Sequence, residues 1–232
     1  CTNWQLSEPA GPCITESAQE SIRQEIAVTR AELVQRGVLN ERASGGAVTF
    51  GHPLAVAPES DWKSGWGISY YSDHDTTSSV LDYACSGRTY NGHKGIDYGL
   101  YPFAFHQLYN DLVHVVAGAP GTIVYKHDGE FDEECAWDTT NQWNAVYVEH
   151  SDGTTALYGH MKSGSLTDKG VGETVVEGEF LGVPASSGIS SGPHLHFELW
   201  DTEWNWFDPN EGDCNSMDTV TAWTDQLPYW DG

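Results

Sequence analysis

In the run GPHLHFELW, residues 192–200, two histidines stand two positions apart in apolar company. Successive side chains of a strand leave opposite faces, so His194 and His196 share one face while Leu195 and Phe197 take the other. Two imidazoles facing one space suit a metal site or an acid/base site, because the neutral ring ligates metals and the ring moves protons near neutral pH. The same pattern also describes half-buried histidines with no chemical task. Its meaning depends on partners elsewhere.

A second cluster is NGHKGIDYG, residues 91–99. On a fully extended strand His93 and Asp97 would stand roughly 13 Å apart at about 3.3 Å per residue, too far to share a metal held about 2 Å from each. They can act together only if the chain bends, and Gly92, Gly95 and Gly99 give freedom for a bend and for close backbone approach. Taken alone, the stretch reads equally as a turn with an exposed histidine and a capping aspartate. A third element is LYGHMKSG, where His160 follows a strand and a glycine.

Taken in order, His93, Asp97, His160, His194 and His196 resemble the lysostaphin-type family of zinc metallopeptidases, most of which cleave bacterial peptidoglycan peptides. The resemblance runs over roughly residues 65–200. It includes the VVAGAPGTIVY strand-turn-strand, the YVEHSDGTTALYGHM hairpin and the GVPASSGISSGPHLHFEL approach to the final pair. The resemblance implies one zinc ion per chain, held by His93, Asp97 and His196, with a fourth position left for water as a catalytic site requires. It also implies that His160 and His194 stand beside the metal as general base and as stabiliser or proton donor, with the division between them open. No HExxH helix occurs, so histidines must do the work of the glutamate base of thermolysin-like enzymes.

The function implied is a secreted zinc metalloendopeptidase cutting at glycine or small residues, above all in peptidoglycan cross-links. Two alternatives are a protease of glycine-rich, elastin-like protein and a non-catalytic envelope regulator on the same fold. The complete ligand set speaks against the second. The other histidines, His52, His74, His106, His114, His127 and His150, match no motif position and read as structural or surface groups. The chain departs from the family between Asp97 and Val115, where YGLYPFAFHQLYNDLVH replaces a brief turn and leaves the shape of one cleft wall open.

Several elements must position these groups. Residues 15–39, TESAQESIRQEIAVTRAELVQRGVL, read as an amphipathic helix with a Ser17/Glu20 capping box, apolar Ile22, Ile26 and Leu33, and a stop at Gly37. Its stripe should pack on the main body. It could also lie over a cleft as a latency segment, although nothing in the helix offers a metal ligand. The polar connector NERASGGAV then divides an N-terminal helical segment, 1–45, from a catalytic domain, 46–232. Beyond it, short β-type runs alternate with turn residues: LVHVVAG and GTIVYK about Gly-Ala-Pro-Gly, NAVYVEH and TTALYGH about Ser151-Asp152-Gly153, and GETVVEGEFLGV turning at Glu177-Gly178. Helical periodicity is absent from this region. The fold expected is mainly β, an antiparallel sheet or sandwich-like domain with a helical N-terminal segment.

The 232 residues include 34 acidic and ten basic ones, a net charge of -24. Residues 1–45 hold six acids and four bases, leaving 28 acids and six bases for the rest. Such a surface repels nucleic acid and anionic membranes and suits a salty medium. No run approaches the roughly 18–20 apolar residues of a membrane span, and the first residues show no signal-peptide pattern. Cys1 reads as the processed end of a precursor, open to lipidation, in a secreted or envelope protein acting as a monomer. Five cysteines without a CxxC spacing suggest two disulfides and one leftover thiol: Cys1 with Cys13, and two of Cys85, Cys135 and Cys214. The aromatic run WDTEWNWF, residues 200–207, suggests core and loop packing, with an apolar wall for a glycine-rich peptide as the alternative.

Overall fold

The computed structural model describes residues 13–41, 43, 45–60, 65–136, 141–217 and 220–229. In chain order the elements are α1 (Glu16–Gln35), β1 (Leu54–Val56), β2 (Trp66–Tyr70), β3 (Ile96–Leu100), α2 (Ala104–Tyr109) and β4 (Val113–Val116), followed by β5 (Gly121–His127) and β6 (Ala145–Glu149). The series continues with β7 (Thr155–Gly159), β8 (Thr174–Val175), β9 (Phe180–Gly182), β10 (His194–Trp200) and β11 (Trp206–Phe207). The molecule is mainly β, as its alternating short runs require.

One large sheet runs β2-β3-β10-β7-β6-β5-β8, with β11 also paired to β10, and a small sheet runs β1-β4-β9. All the strand pairs are antiparallel. Of the three turns expected from the sequence, the Ser151-Asp152-Gly153 turn joins neighbouring strands, β6 and β7, and Gly153 takes the left-handed φ of +86° that this turn needs. The Gly-Ala-Pro-Gly turn and the Glu177-Gly178 turn are also where the sequence puts them, but each carries the chain from one sheet to the other. Their flanking runs look alike in sequence because both sheets bury apolar side chains in a common core.

That core sits between the sheets. Tyr98, Leu195, Phe197, Ala156, Tyr158, Val146 and Val148 of the large sheet meet Leu54, Val113, Val115 and Leu181 of the small one. The alternate residues of the same central strands, Ala145, Tyr147 and Leu157, point to the other face and meet Ile22, Ile26 and Leu33 of α1. Burial on both faces explains why β6 and β7 read as nearly continuous apolar runs. It also fixes the face on which α1 lies, the one opposite the intersheet core and shared by Asp97, His194 and His196.

The expected helix forms over Glu16–Gln35, with Gly37 at a φ of +72° ending it. Its cap differs from the expected Ser17/Glu20 box. The Thr15 hydroxyl accepts from the Ala18 amide at 3.3 Å, which places Ser17 inside the first turn. Arg30 adds a half-buried ion pair, its Nε donating to both carboxylate oxygens of Glu149 at 3.0 and 3.1 Å. The long insertion after Asp97 is not irregular throughout, because it folds into the short helix α2. Among the described residues no helix is long and apolar enough to cross a membrane.

Cys85 and Cys214 form a disulfide, as expected of two of the three later cysteines. The expected Cys1–Cys13 bridge does not form, since Cys13 is a free, buried thiol committed to other neighbours. Cys1 lies outside the described residues, and the lipidation expected of it lies there too.

His150, directly after β6, offers a test of this packing. It is buried with Nδ1 2.8 Å from the Pro120 carbonyl, and burial holds its pKa below the ordinary value. The unfolded chain takes up this proton near pH 6.5 and the folded chain resists it, so stability is retained above that pH and lost as pH falls below it. Denaturation midpoints measured at pH about 7.5 and about 5.5 should therefore fall less in His150→Gln than in the parent chain. Equal losses in the two proteins would contradict the burial assigned to this ring.

Candidate metal centre

The register of two strands brings the sequence motifs together. Pairing of β3 with β10 sets Asp97 opposite His196, and pairing of β10 with β7 sets Gly159 on the other side of His196. His160 follows Gly159 directly, so four of the five candidate residues sit along β10 and its two neighbours. His93 arrives from the turn before β3. Gly92 bends the chain there at a φ of +77°, and the His93 amide closes the turn onto the Tyr90 carbonyl at 3.0 Å. Gly95 lets the bent chain approach β10, because a Cβ there would lie 2.6 Å from the Phe197 carbonyl oxygen and 2.8 Å from His196 Cε1.

Three donor atoms converge. Asp97 Oδ1 lies 2.8 Å from His196 Nδ1 and 3.2 Å from His93 Nε2, and the two ring nitrogens are 3.2 Å apart. Each ring's other nitrogen is already engaged. His93 Nδ1 donates to the Tyr71 carbonyl at 2.7 Å, and His196 Nε2 donates to Glu198 Oε1 at 2.8 Å. Glu198 is held in turn by the Trp200 indole N–H at 2.8 Å, and Asp97 Oδ2 accepts from the Tyr90 hydroxyl at 3.3 Å. With the outer nitrogens so engaged, the inward atoms can offer three electron pairs to one metal ion, while in the metal-free chain the 2.8 Å contact of His196 Nδ1 with Asp97 Oδ1 is a proton-bearing ion pair. Zinc bonds of about 2.0–2.1 Å set tetrahedral ligand atoms about 3.3 Å apart, close to the separations found. The donor set fits a zinc-class ion.

Beside this trio stand His160 and His194, with ring centroids 4.4 Å apart. His160 takes a left-handed φ of +61°, an unusual conformation for a residue with a Cβ, and its Nδ1 donates to the Ser187 carbonyl at 2.6 Å. His194 Nδ1 donates to the Gly192 carbonyl at 2.8 Å. Both Nε2 atoms are buried without a hydrogen-bond partner among the described residues, and His194 Nε2 stands 3.6 Å from Asp97 Oδ1. Burial, with His194 adjacent, holds the pKa of His160 below the ordinary imidazole value. Burial works most strongly against a charged His194, but the Asp97 carboxylate, the Cys13 sulfur and the Gly192 carbonyl together outweigh it and hold that pKa above the ordinary value. Asp97, which burial would push up, is held well below the carboxylate range by His93 and His194.

One functional candidate was missing from the sequence reading. Cys13, two residues before the α1 cap, places its Sγ within 4.8 Å of the donor atoms of His93, Asp97 and His196, and also of ring nitrogens of His160 and His194. It shares a 2.8 Å contact with the Tyr90 hydroxyl. A protein sulfur thus lies beside the three side chains expected to leave one position open to water. An odd cysteine count was the available signal, since one of five thiols must stay unpaired, but Cys13 was assigned to a disulfide.

The remaining histidines stand apart from this cluster. His74 pairs with buried Asp208 at 2.9 Å, and His52 stacks on Trp223 at 4.8 Å. The aromatic run is largely spent on packing: Trp200 is buried, and the Arg23 guanidinium of α1 lies 4.5 Å from the Trp200 ring and 5.9 Å from that of Trp204. Cation–π contact with α1 therefore takes the faces that a peptide wall would need.

Comparison with known proteins adds independent findings. A DD-carboxypeptidase/endopeptidase Mpg of Neisseria meningitidis serogroup B is 40% identical over 55 residues, which is 24% of this chain and 12% of that protein. A protein of Haemophilus influenzae described as an uncharacterized metalloprotease is 30% identical over 107 residues, 46% of this chain and 18% of that one. The chain thus spans under a fifth of the length of these curated relatives. The catalytic domain of the antimicrobial peptidase lysostaphin from Staphylococcus simulans aligns with a TM-score of 0.36 at 22% identity, covering 62% of this chain and 87% of that one. The family model for peptidase family M23 matches residues 91–209, just over half of the chain, a range that contains His93, Asp97, His160, His194 and His196. By that match the chain belongs to peptidase family M23, the family its HxxxD and HxH motifs resemble.

Proposed function

We propose that the chain is a zinc endopeptidase in which His93 Nε2, Asp97 Oδ1 and His196 Nδ1 hold one ion while His160 and His194 move protons. The observation that carries this reading is the convergence of three donor atoms whose tautomers are fixed from behind, next to two imidazoles whose Nε2 atoms point inward without partners among the described residues. Bound there, zinc lowers the pKa of water and polarises a carbonyl. The protein supplies the rest. Backbone carbonyls of Ser187 and Gly192 hold His160 and His194 as Nδ1–H tautomers, so Nε2 of each is the atom that accepts or donates a proton.

The substrate class proposed is peptide bonds at glycine or small residues in peptidoglycan cross-links, cut outside the cell or in the envelope by a monomer whose catalytic domain is 46–232. Support comes from membership of family M23 and from the endopeptidase named among the relatives. Glycine-rich protein is the second candidate substrate, because a surface of charge -24 is ill matched to an anionic wall at low salt. The Cys13 sulfur favours one other reading, a closed four-ligand ion that braces the fold. Against it stand His160 and His194, two inward histidines that a bracing site does not need.

Metal analysis should find one zinc per chain. His93→Ala, Asp97→Ala and His196→Ala should lose it, whereas His160→Ala and His194→Ala should retain it. With the sulfur removed by Cys13→Ala, either of the last two changes should lower kcat/KM on purified peptidoglycan by about 10²–10⁴-fold, as read by mass spectrometry of new amino termini. Equal zinc loss in all five variants would contradict the division into ligands and proton carriers. Glu198→Gln should weaken zinc binding by about 10–100-fold without unfolding the chain, since it removes the carboxylate behind His196. An unchanged affinity would remove Glu198 from the account.

A further inference from the structure

We infer that Cys13 is the fourth, displaceable ligand of the proposed zinc ion, so that the segment it belongs to keeps the site closed to water and substrate. This rests on the zinc reading above and adds a regulatory state to the same site.

The position of the sulfur is determined by packing rather than by a free loop. Cys13 lies two residues before Thr15, the cap of a helix clamped on the sheet face that carries the site. Ile22, Ile26 and Leu33 bury against β5–β7, Arg30 pairs with Glu149, and Arg23 lies over Trp200, two residues beyond Glu198. These contacts hold Cys13 beside the trio. Tyr90 then touches both parts, with its hydroxyl 2.8 Å from Cys13 Sγ and 3.3 Å from Asp97 Oδ2.

A buried free cysteine is usually a small apolar residue in apolar company. Cys13 has different neighbours. Its Sγ is grouped with donor atoms of His93, Asp97 and His196 on one side and with ring nitrogens of His160 and His194 on the other. A site already holding two imidazoles and a carboxylate lacks one ligand of a tetrahedral set, and thiolate is a preferred zinc ligand. When the ion binds, the thiol proton leaves to solvent and the sulfur lone pair takes the fourth position. The same placement sets the sulfur against the inward faces of His160 and His194, where a substrate would have to enter. Removing the thiol subtracts one ligand from four and leaves the His93, Asp97 and His196 set intact.

The test uses the full chain loaded with cobalt(II), a spectroscopic substitute for zinc, together with Cys13→Ala and Cys13→Ser. Wild type should show a near-ultraviolet thiolate-to-cobalt charge-transfer band, and added acetohydroxamate should leave its visible spectrum unchanged. Both variants should keep one cobalt per chain, lose the band and shift their spectra with acetohydroxamate. On purified peptidoglycan, the zinc-loaded variants should release new amino termini at least about tenfold faster than wild type, the equivalent of about 1.4 kcal/mol. In wild type, iodoacetamide should modify Cys13 faster after a chelator removes the metal. No metal in wild type would overturn the zinc reading itself. One cobalt without the band would leave that reading standing and overturn this inference. A band in wild type with metal lost from both variants, or variants no more open to acetohydroxamate than wild type, would also overturn it.

Discussion

Three electron-pair donors held face to face are the constraint on which the rest of this structure depends. His93 Nε2, Asp97 Oδ1 and His196 Nδ1 approach within 2.8–3.2 Å, each directed inward by a hydrogen bond behind it. Buried like charges and lone pairs at that range are stable only with positive charge between them. In the metal-free chain a proton supplies it: Cys13, Asp97 and Glu198 outweigh burial and hold the His196 pKa well above the ordinary imidazole value. A metal ion satisfies all three donors at once and releases protons as it binds. The register of β3 on β10, the bend at Gly92 and the missing Cβ of Gly95 all serve this approach.

The two faces of the large sheet divide the work. One face builds the core with the small sheet, and its packing makes the strands rigid enough to hold a site to within fractions of an ångström. The other face carries the site and is also where α1 lies. Placing a helix on the face that carries the donor cluster has a direct consequence, because Cys13, just before that helix, comes to lie beside the donor atoms. Residues that pin α1, such as Ile26 and Arg30, therefore bear on the site although they are far from it in sequence.

How much could be read from the sequence followed how local each feature is. The alternation in HLHFELW fixed which side chains share a face, since that depends on strand geometry alone. The need for a bend between His93 and Asp97 followed from chain dimensions, and the Ser151-Asp152-Gly153 hairpin from turn chemistry. Partners set by tertiary contact were not legible. The Tyr71 carbonyl behind His93, the Ser187 carbonyl behind His160 and the crossing of two turns between sheets depend on how distant segments meet. Glu198 lay in plain view two residues from His196, but only the fold shows that it orients the ring. Cys13 was misread because a cysteine near a chain end in a secreted-looking sequence suggests a disulfide more readily than a ligand. The Ser17 cap was displaced by Thr15, a competition between equivalent hydroxyls that local sequence does not decide.

The most direct test is a crystal structure of the zinc-loaded chain with diffraction data collected on both sides of the zinc absorption edge. The account requires a single anomalous peak about 2.0–2.1 Å from His93 Nε2, Asp97 Oδ1 and His196 Nδ1. An empty interval among those atoms, or a peak elsewhere with the three side chains joined by protons, would contradict it.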